Sequence, residues 1–206
     1  MSVLRHLLPR PARSTSLFVT APLLQPRALV QIPPRPQEHH HHLDLLARPS
    51  STATMATTDA TLRTFFQSPK FAVVGASTNP DKFGYKVFKW YVTRNLDVTP
   101  VNPGATAIKI GDEELPTVGS LSDIADPADT SVSFITPPPV TLKTLKLAKE
   151  LGFPAVFLQP GTFDDEVLEF ARDNFEAAVA GDGGWGSEGW CVLVDGDRGL
   201  KAVGKL

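Results

Sequence analysis

The chain is poor in the residues that carry most metal and covalent chemistry. It has one cysteine, Cys191, which excludes an internal disulfide framework and a Cys-rich metal site. Of its five histidines, four are consecutive, His39 to His42, and the fifth is His6. From Ser50 to Leu206 there is no histidine. A Ser-His-Asp triad, a Cys-His dyad and a phosphohistidine are therefore excluded from that stretch. So is a zinc site built on His and Cys. No uninterrupted apolar run approaches the roughly 20 residues a membrane-spanning helix needs, so none is expected. Lysine and arginine total 20 against 22 acids, a net charge of −2. That balance argues against a nucleic-acid surface as the main business of the chain.

Acid is also missing locally. Residues 1–36 contain arginine, serine, threonine and recurrent proline but no Asp or Glu. The prolines preclude a long helix. Val3, Leu4, Leu7 and Leu8 can still line one face of a short one, with Arg5 opposite. Such a composition resembles a mitochondrial transit peptide. The competing expectation is a disordered, cytoplasmic extension, with translation able to start at Met55. The His39–His42 tract reads as solvated low-complexity sequence. The expected organisation is a disordered extension over residues 1–55 and one domain over residues 59–206.

From Asp59 onward the pattern is periodic. "DATLRTFFQS" predicts a helix capped by Asp59. "FAVVG" predicts a strand covered on both faces, because its apolar run has no polar alternation. A helix is expected over Lys82–Asn95, with Val87, Tyr91 and Val92 inward and Lys86, Lys89 and Arg94 toward water. "DVTPVNP" predicts a second strand, followed by a looser stretch and a short helix at "LSDI". "TSVSFIT" predicts a third strand, stopped by Pro137, Pro138 and Pro139. The next helix has Pro139 near its start and Gly152 at its C-cap. "AVFLQPG" predicts a fourth strand. "TFDDEVLEFARDNF" predicts a helix opened by Thr162 and acids, and "EAAVAG" a fifth strand. "CVLVDG" is compatible with an added edge strand. Alternating strands and helices predict an α/β, Rossmann-like three-layer domain with a mostly parallel sheet of five strands or slightly more.

In such a sheet a ligand binds outside the C-terminal strand ends. Gly75 lets the backbone approach a diphosphate closely, and the following helix points its amide dipole there. Ser77, Thr78 and Asn79 add side-chain donors, and Lys82 can neutralise a phosphate. The run "GASTNPDKFG" holds only Gly75 and Gly84, so the G-x-G-x-x-G dinucleotide fingerprint is absent. The acid expected after the second strand is also absent, its place taken by Asn102 and Pro103. Both absences weigh against a nicotinamide dinucleotide. Tyr85 and Lys89 share the Y-x-x-x-K spacing of short-chain dehydrogenases. They lie on the first helix rather than a later one, so Tyr85 reads as a ligand-wall or packing residue and Lys89 as a surface charge.

"VVGASTNPDKFGYKVFKWY", "VTPVNPGA", "LPTVGSLSDI", "SFITPPP" and "FLQPGTFDDEVLEFARD", in that order, resemble the CoA-binding domain family. The likeness covers roughly Phe65–Gly181. It extends to the N-terminal domain of the succinyl-CoA ligase alpha subunit and to ADP-forming acyl-CoA synthetases. The resemblance implies a small-molecule ligand, coenzyme A or an acyl-CoA. It implies that Gly75, Ala76 and Ser77 cradle the diphosphate. Asn102 and Pro103 would sit against the adenine and the 3′-phosphate. Thr136, Pro137 and Pro138 would flank the nucleotide or pantetheine, and Gln159 and Gly161 would border the thiol end.

The ligases take their catalytic histidine from a second domain, which is not found here. Ligase chemistry is therefore not expected, and neither catalytic nor metal-binding residues are assigned. After the fifth strand comes a glycine-rich stretch with Trp185 and Trp190. Both are expected to pin this segment to the domain, adenine stacking being the alternative. Cys191, flanked by apolar residues, is expected to be inert. Two rival functions remain: an NAD(P)-dependent oxidoreductase and a redox- or ligand-sensing module. Redox-sensing repressors with a similar ligand domain carry a basic winged helix in front of it, whereas the region ahead of Phe65 here is proline-rich with no helix-turn-helix pattern, so DNA binding is not expected.

Overall fold

The computed structural model describes residues 58–206, so the readings made for residues 1–55, including the His39–His42 tract, lie outside the described residues. Five parallel strands form the central sheet: β1 (Lys70–Val74), β2 (Asp97–Val101), β5 (Thr130–Phe134), β6 (Ala155–Leu158) and β7 (Ala177–Val179). Their spatial order is β2-β1-β5-β6-β7. The chain first steps from β1 to β2, then returns across β1 to β5. That reversal puts a switch point at the C-terminal ends of β1 and β5, where open α/β sheets bind ligands.

Helices α1 (Asp59–Gln67), α2 (Phe83–Val92) and α5 (Val192–Ala202) cover one face of the sheet. Helices α3 (Pro138–Leu151) and α4 (Asp165–Asn174) cover the other. The alternation of strand side chains sorts the core between the faces. Phe71 and Val73 of β1 join the first cluster, while Ala72 and Val74 join the second. On β5, Val132 and Phe134 belong to the second cluster. Ser131 and Ser133 point the other way and are fully buried. Their hydroxyls are paired: Ser131 donates to the Phe65 carbonyl at 2.9 Å, and Ser133 Oγ lies 2.7 Å from Tyr91 Oη. This meets the requirement that buried polar groups find partners.

The three-layer α/β reading holds, and several local expectations are corrected. Helix α1 is capped by Thr58, whose side chain accepts from the Thr61 N–H, with Asp59 as first helical residue. Helix α4 is opened by Asp164, which accepts from the Val167 N–H at 3.0 Å. Thr162 donates instead to the Gln159 carbonyl. Arg94 does not face water freely. It stacks over Trp90 and pairs with Asp197 at 2.6 Å. The stretch after β2 is an antiparallel hairpin, β3 (Ala107–Ile110) and β4 (Glu113–Pro116). It turns through Gly111 and Asp112, with Gly111 at φ +62°. "CVLVDG" opens helix α5 and is not an edge strand. Gly196 and Gly199 lie on its inner side because Trp90 and Phe66 leave no room for a Cβ there. Gly152 does cap α3, at φ +84°. Among the described residues no helix is long and apolar enough to cross a membrane.

Candidate functional site

The turn after β1 is built by two glycines. Gly75 continues the ladder, its N–H donating to the Val101 carbonyl at 3.2 Å, but its φ of +88° turns the chain out of the strand. An L side chain there would be strained. Its Cβ would also meet Thr136 Cγ2 at 3.1 Å. Gly84, in the first turn of α2, presses its Cα against the same turn. A methyl group at Gly84 would overlap the Gly75 carbonyl oxygen. Gly84 is therefore buried as the contact that lets α2 start directly over β1, and it supports the turn from behind.

The loop between them is self-bonded. Ser77 Oγ accepts from the Asn79 N–H at 3.1 Å, and Asn79 Oδ1 accepts from the Asp81 N–H at 2.9 Å. Thr78 is exposed, and Lys82 is the N-cap of α2 without a side-chain cap bond. Tyr85 is half-buried against the first core cluster, and Lys89 is exposed. That agrees with a packing role for the tyrosine.

Asn102 closes the turn from the β2 side. Its Nδ2 donates to the Ala76 carbonyl at 2.9 Å, and its Oδ1 accepts from the Gly104 N–H at 2.8 Å. The side chain thus clamps the β1 turn to the β2 turn. Thr136, after β5, shares a 2.8 Å hydroxyl contact with Thr141, whose own hydroxyl donates to the Thr136 carbonyl at 2.7 Å. Pro137 is the N-cap of α3 and Pro138 its first residue, where a missing N–H costs nothing.

Two cavities flank these turns. The larger, of 580 Å³, opens on the face covered by α3. Val74, Val101 and Leu121 form its floor, and Gly75, Ala76, Asn102, Pro103 and Thr136 lie around it. The smaller, of 370 Å³, opens toward α2 and the loop before α5. Ile135, Pro137, Gln159, Gly161 and Thr162 line it, with Phe83 and Glu188 at its sides. Thr136, just after β5, lines both cavities. Gln159 is fully buried, and its Oε1 accepts from the Val192 N–H at 3.0 Å. The end of β6 is thereby tied to the first residue of α5.

Ser77, Thr78, Asn79, Lys82, Gly84, Tyr85 and Pro138 line neither cavity. Sequence reasoning missed the wall contributed by α3: Val140, Lys143, Thr144 and Leu147. A signal was available, since these positions repeat at i, i+3, i+4 and i+7. The core stripe of the same helix, Thr141, Leu145 and Ala148, runs beside them.

The glycine-rich segment is organised by a buried acid that the sequence reading passed over. Asp195, fully buried, accepts from the Trp185 N–H at 2.8 Å and the Cys191 N–H at 3.0 Å. Trp190 is buried and donates to the Asp182 carbonyl, so it does pin the segment. Trp185 is 70% exposed, yet it is tied to α5 as well, its ring stacked on Arg198 and its N–H held by Asp195. Burial pushes the Cys191 thiol above its usual range, so the inert form is favoured.

A comparison with curated proteins returns no match. Among solved structures, the chain is similar to a hypothetical protein from Pyrococcus horikoshii OT3. Identity is 26%, covering 69% of this chain and 92% of that one, with a TM-score of 0.57. It is similar to the cell-free protein ID.343 from Thermus thermophilus, at 25% identity over 69% of this chain and 98% of that one, TM-score 0.54. It is also similar to Prb, a protein redesigned for binding, at 25% identity over 70% of this chain and 94% of that one, TM-score 0.58. The family model described as the CoA binding domain matches residues 69–189, a span that begins just before β1 and ends just before α5. With its glycine turn, its strand-end prolines and this match, the chain belongs to the CoA-binding domain family.

Proposed function

We propose that this domain binds coenzyme A, free or as an acyl thioester, and does so without catalysing a reaction on it. The observation that carries the reading is a pair of cavities that share Thr136 as a lining residue, beside a glycine turn where a Cβ on Gly84 would overlap the Gly75 carbonyl. Coenzyme A is a long ligand with an aromatic, phosphorylated end and a slender thiol end. Two unequal chambers across one sheet edge suit that asymmetry. The residues present fit it chemically. Apolar Val74, Val101 and Leu121 suit a purine face. Backbone groups at Gly75, Ala76 and Ser77 would hold the diphosphate near the first turn of α2, whose leading N–H groups have no intrahelical partners. Thr136 and Pro137 would flank pantetheine, and Gln159 and Gly161 the thiol end. Asn102 stands where a dinucleotide site would use a carboxylate on the ribose, which favours coenzyme A over NAD.

Calorimetric titration with CoA, acetyl-CoA, NAD and NADP tests this. CoA or acetyl-CoA should bind most tightly. Tighter binding of NAD or NADP would replace the reading with an oxidoreductase one. The mitochondrial address of residues 1–55 is a separate proposal. A fluorescent fusion of those residues should enter mitochondria, and a diffuse cytosolic signal would overturn it.

A further inference from the structure

We infer that Lys143 reads the ribose 3′-phosphate, the group that sets coenzyme A apart from most adenine nucleotides. The inference rests on the coenzyme A reading above and assigns the charge that its larger cavity needs. Asn102 is the residue the sequence offers for this task. Its amide is already engaged with the Ala76 carbonyl and the Gly104 N–H, and it carries no charge to offset a phosphate dianion.

The hydroxyls around the cavity are similarly occupied. Thr144 donates to the Val140 carbonyl at 2.9 Å. Thr141 donates to the Thr136 carbonyl, so the Thr136 proton is the one directed at Thr141 Oγ1. Ser120 Oγ accepts from the Ser122 N–H and is directed at the Ser122 hydroxyl, while the Ser120 N–H is held by Asp123.

Lys143 is the one charged residue among those lining the cavity. The other lysines of α3 are employed elsewhere. Lys146 lies over the Phe170 ring, and Lys149 donates to the Asn174 carbonyl at 2.9 Å. Among the described residues Lys143 has no carboxylate partner. It stands on α3 with Val140, Thr144 and Leu147, and lines the same cavity as Asn102 and Pro103. Lys143 is itself exposed, so its attraction for an anion is that of a solvent-accessible cation and is screened by salt.

The test compares CoA with dephospho-CoA, which lacks only that phosphate, in wild type, Lys143→Gln and Lys143→Arg. Lys143 is exposed on a helix, so both variants should keep the wild-type melting temperature. Wild type should prefer CoA by roughly tenfold, the scale of one hydrogen bond to a charged group. Lys143→Gln should lose that preference by weakening CoA alone, and Lys143→Arg should keep most of it. Raising the salt concentration should narrow the wild-type preference. Wild type binding both ligands equally, or Lys143→Gln weakening both alike or neither, would overturn this inference and leave the coenzyme A reading standing. No binding of CoA by wild type would overturn that reading, and the role of Lys143 with it.

Discussion

On the face of the sheet covered by α1, α2 and α5 the core is built of rings: Phe65, Phe66, Phe71, Phe88, Trp90, Tyr91, Phe157 and Trp190. On the face covered by α3 and α4 it is mostly Val, Leu and Ala, with Phe134, Phe153 and Phe175. The rings of the first face pack against one another, with centroids 5.0 Å apart for Phe65–Phe66 and 4.9 Å for Trp90–Tyr91. Large rings demand matched neighbours. Here the match is met by deleting side chains opposite, at Gly196 and Gly199 of α5. The second face is filled with smaller groups, and its upper end is left open. Val74, Val101 and Leu121 serve both as core members and as cavity floor. The aromatic face is therefore the more tightly packed of the two, while the aliphatic face opens into the larger cavity. Helices α1 and α5, which close the aromatic face, lie outside the matched span 69–189.

The largest expected effect is on the aromatic face. Phe65→Ala should cost about 4 kcal/mol, as truncation of a fully buried ring does. Denaturant melts would measure it, and a loss below about 1 kcal/mol would break the comparison. Next comes Gly199→Ala. At an open helical site this exchange stabilises by about 1 kcal/mol. Here the new methyl meets the Phe66 ring and comes within 3.1 Å of Leu62 Cγ. A net loss of about 2 kcal/mol is expected, lowering the melting temperature by roughly 4–8 °C. A rise would show that α5 is not held at closest approach.

Gly75→Val sharpens the comparison from the open side. A branched side chain at φ +88° next to Thr136 should reduce CoA affinity at least about tenfold, or 1.4 kcal/mol. Circular dichroism must show a folded variant. Normal CoA binding by that folded variant would remove the turn from the site.

Tyr91 tests how the aromatic face tolerates its one buried phenol–hydroxyl pair. Tyr91→Phe leaves Ser133 Oγ without that partner and should cost about 1 kcal/mol near neutral pH. Burial raises the phenol above its usual value near 10. The unfolded chain then loses its proton first, so wild-type stability should fall as pH rises past about 10. The variant should lack that part of the decline, and identical alkaline melts for the two proteins would contradict it.

The smallest effect belongs to Asp197, whose hydrogen bond from Arg94 holds its carboxyl below the usual range. Its side chain is 45% exposed, so solvent screens most of the attraction. Asp197→Asn should cost less than about 0.5 kcal/mol. That contribution is present above the ordinary carboxylate range and fades as pH falls through the depressed value. A loss above about 1 kcal/mol would mean that Arg94 is a structural element of the aromatic face.

Much of the sheet was legible because parallel strands buried on both faces write themselves as short β-branched runs, such as "FAVV" and "AVFL". Their ends were legible too, since glycine and proline stop them abruptly. The hairpin was missed, although Ile108 and Ile110 alternate with Lys109 before Gly111-Asp112, a recognisable signal. Helix α5 was misread because Val192, Leu193 and Val194 favour a strand locally. Its glycines make sense only once Trp90 and Phe66 are seen opposite them. The cavity wall on α3 was hidden because one helix carries two neighbouring stripes. Periodicity alone does not say which stripe faces the core and which faces a ligand.

The sequence by itself determined the α/β alternation, the glycine at the first turn, the missing ribose acid and the lack of histidine chemistry after Ser50. These depend on residue type and short-range spacing, which no later contact can alter. Tertiary structure decided what those residues do. It took the amide of Asn102 for a clamp between two turns, spent the hydroxyls of Ser120, Thr136 and Thr144 within the protein, and left Lys143 uncommitted beside an apolar floor. Hydrogen-bond partners and cavities are set by residues far apart in the chain. Their assignment therefore waits on the packing of α3 and the β2 turn around the end of β1.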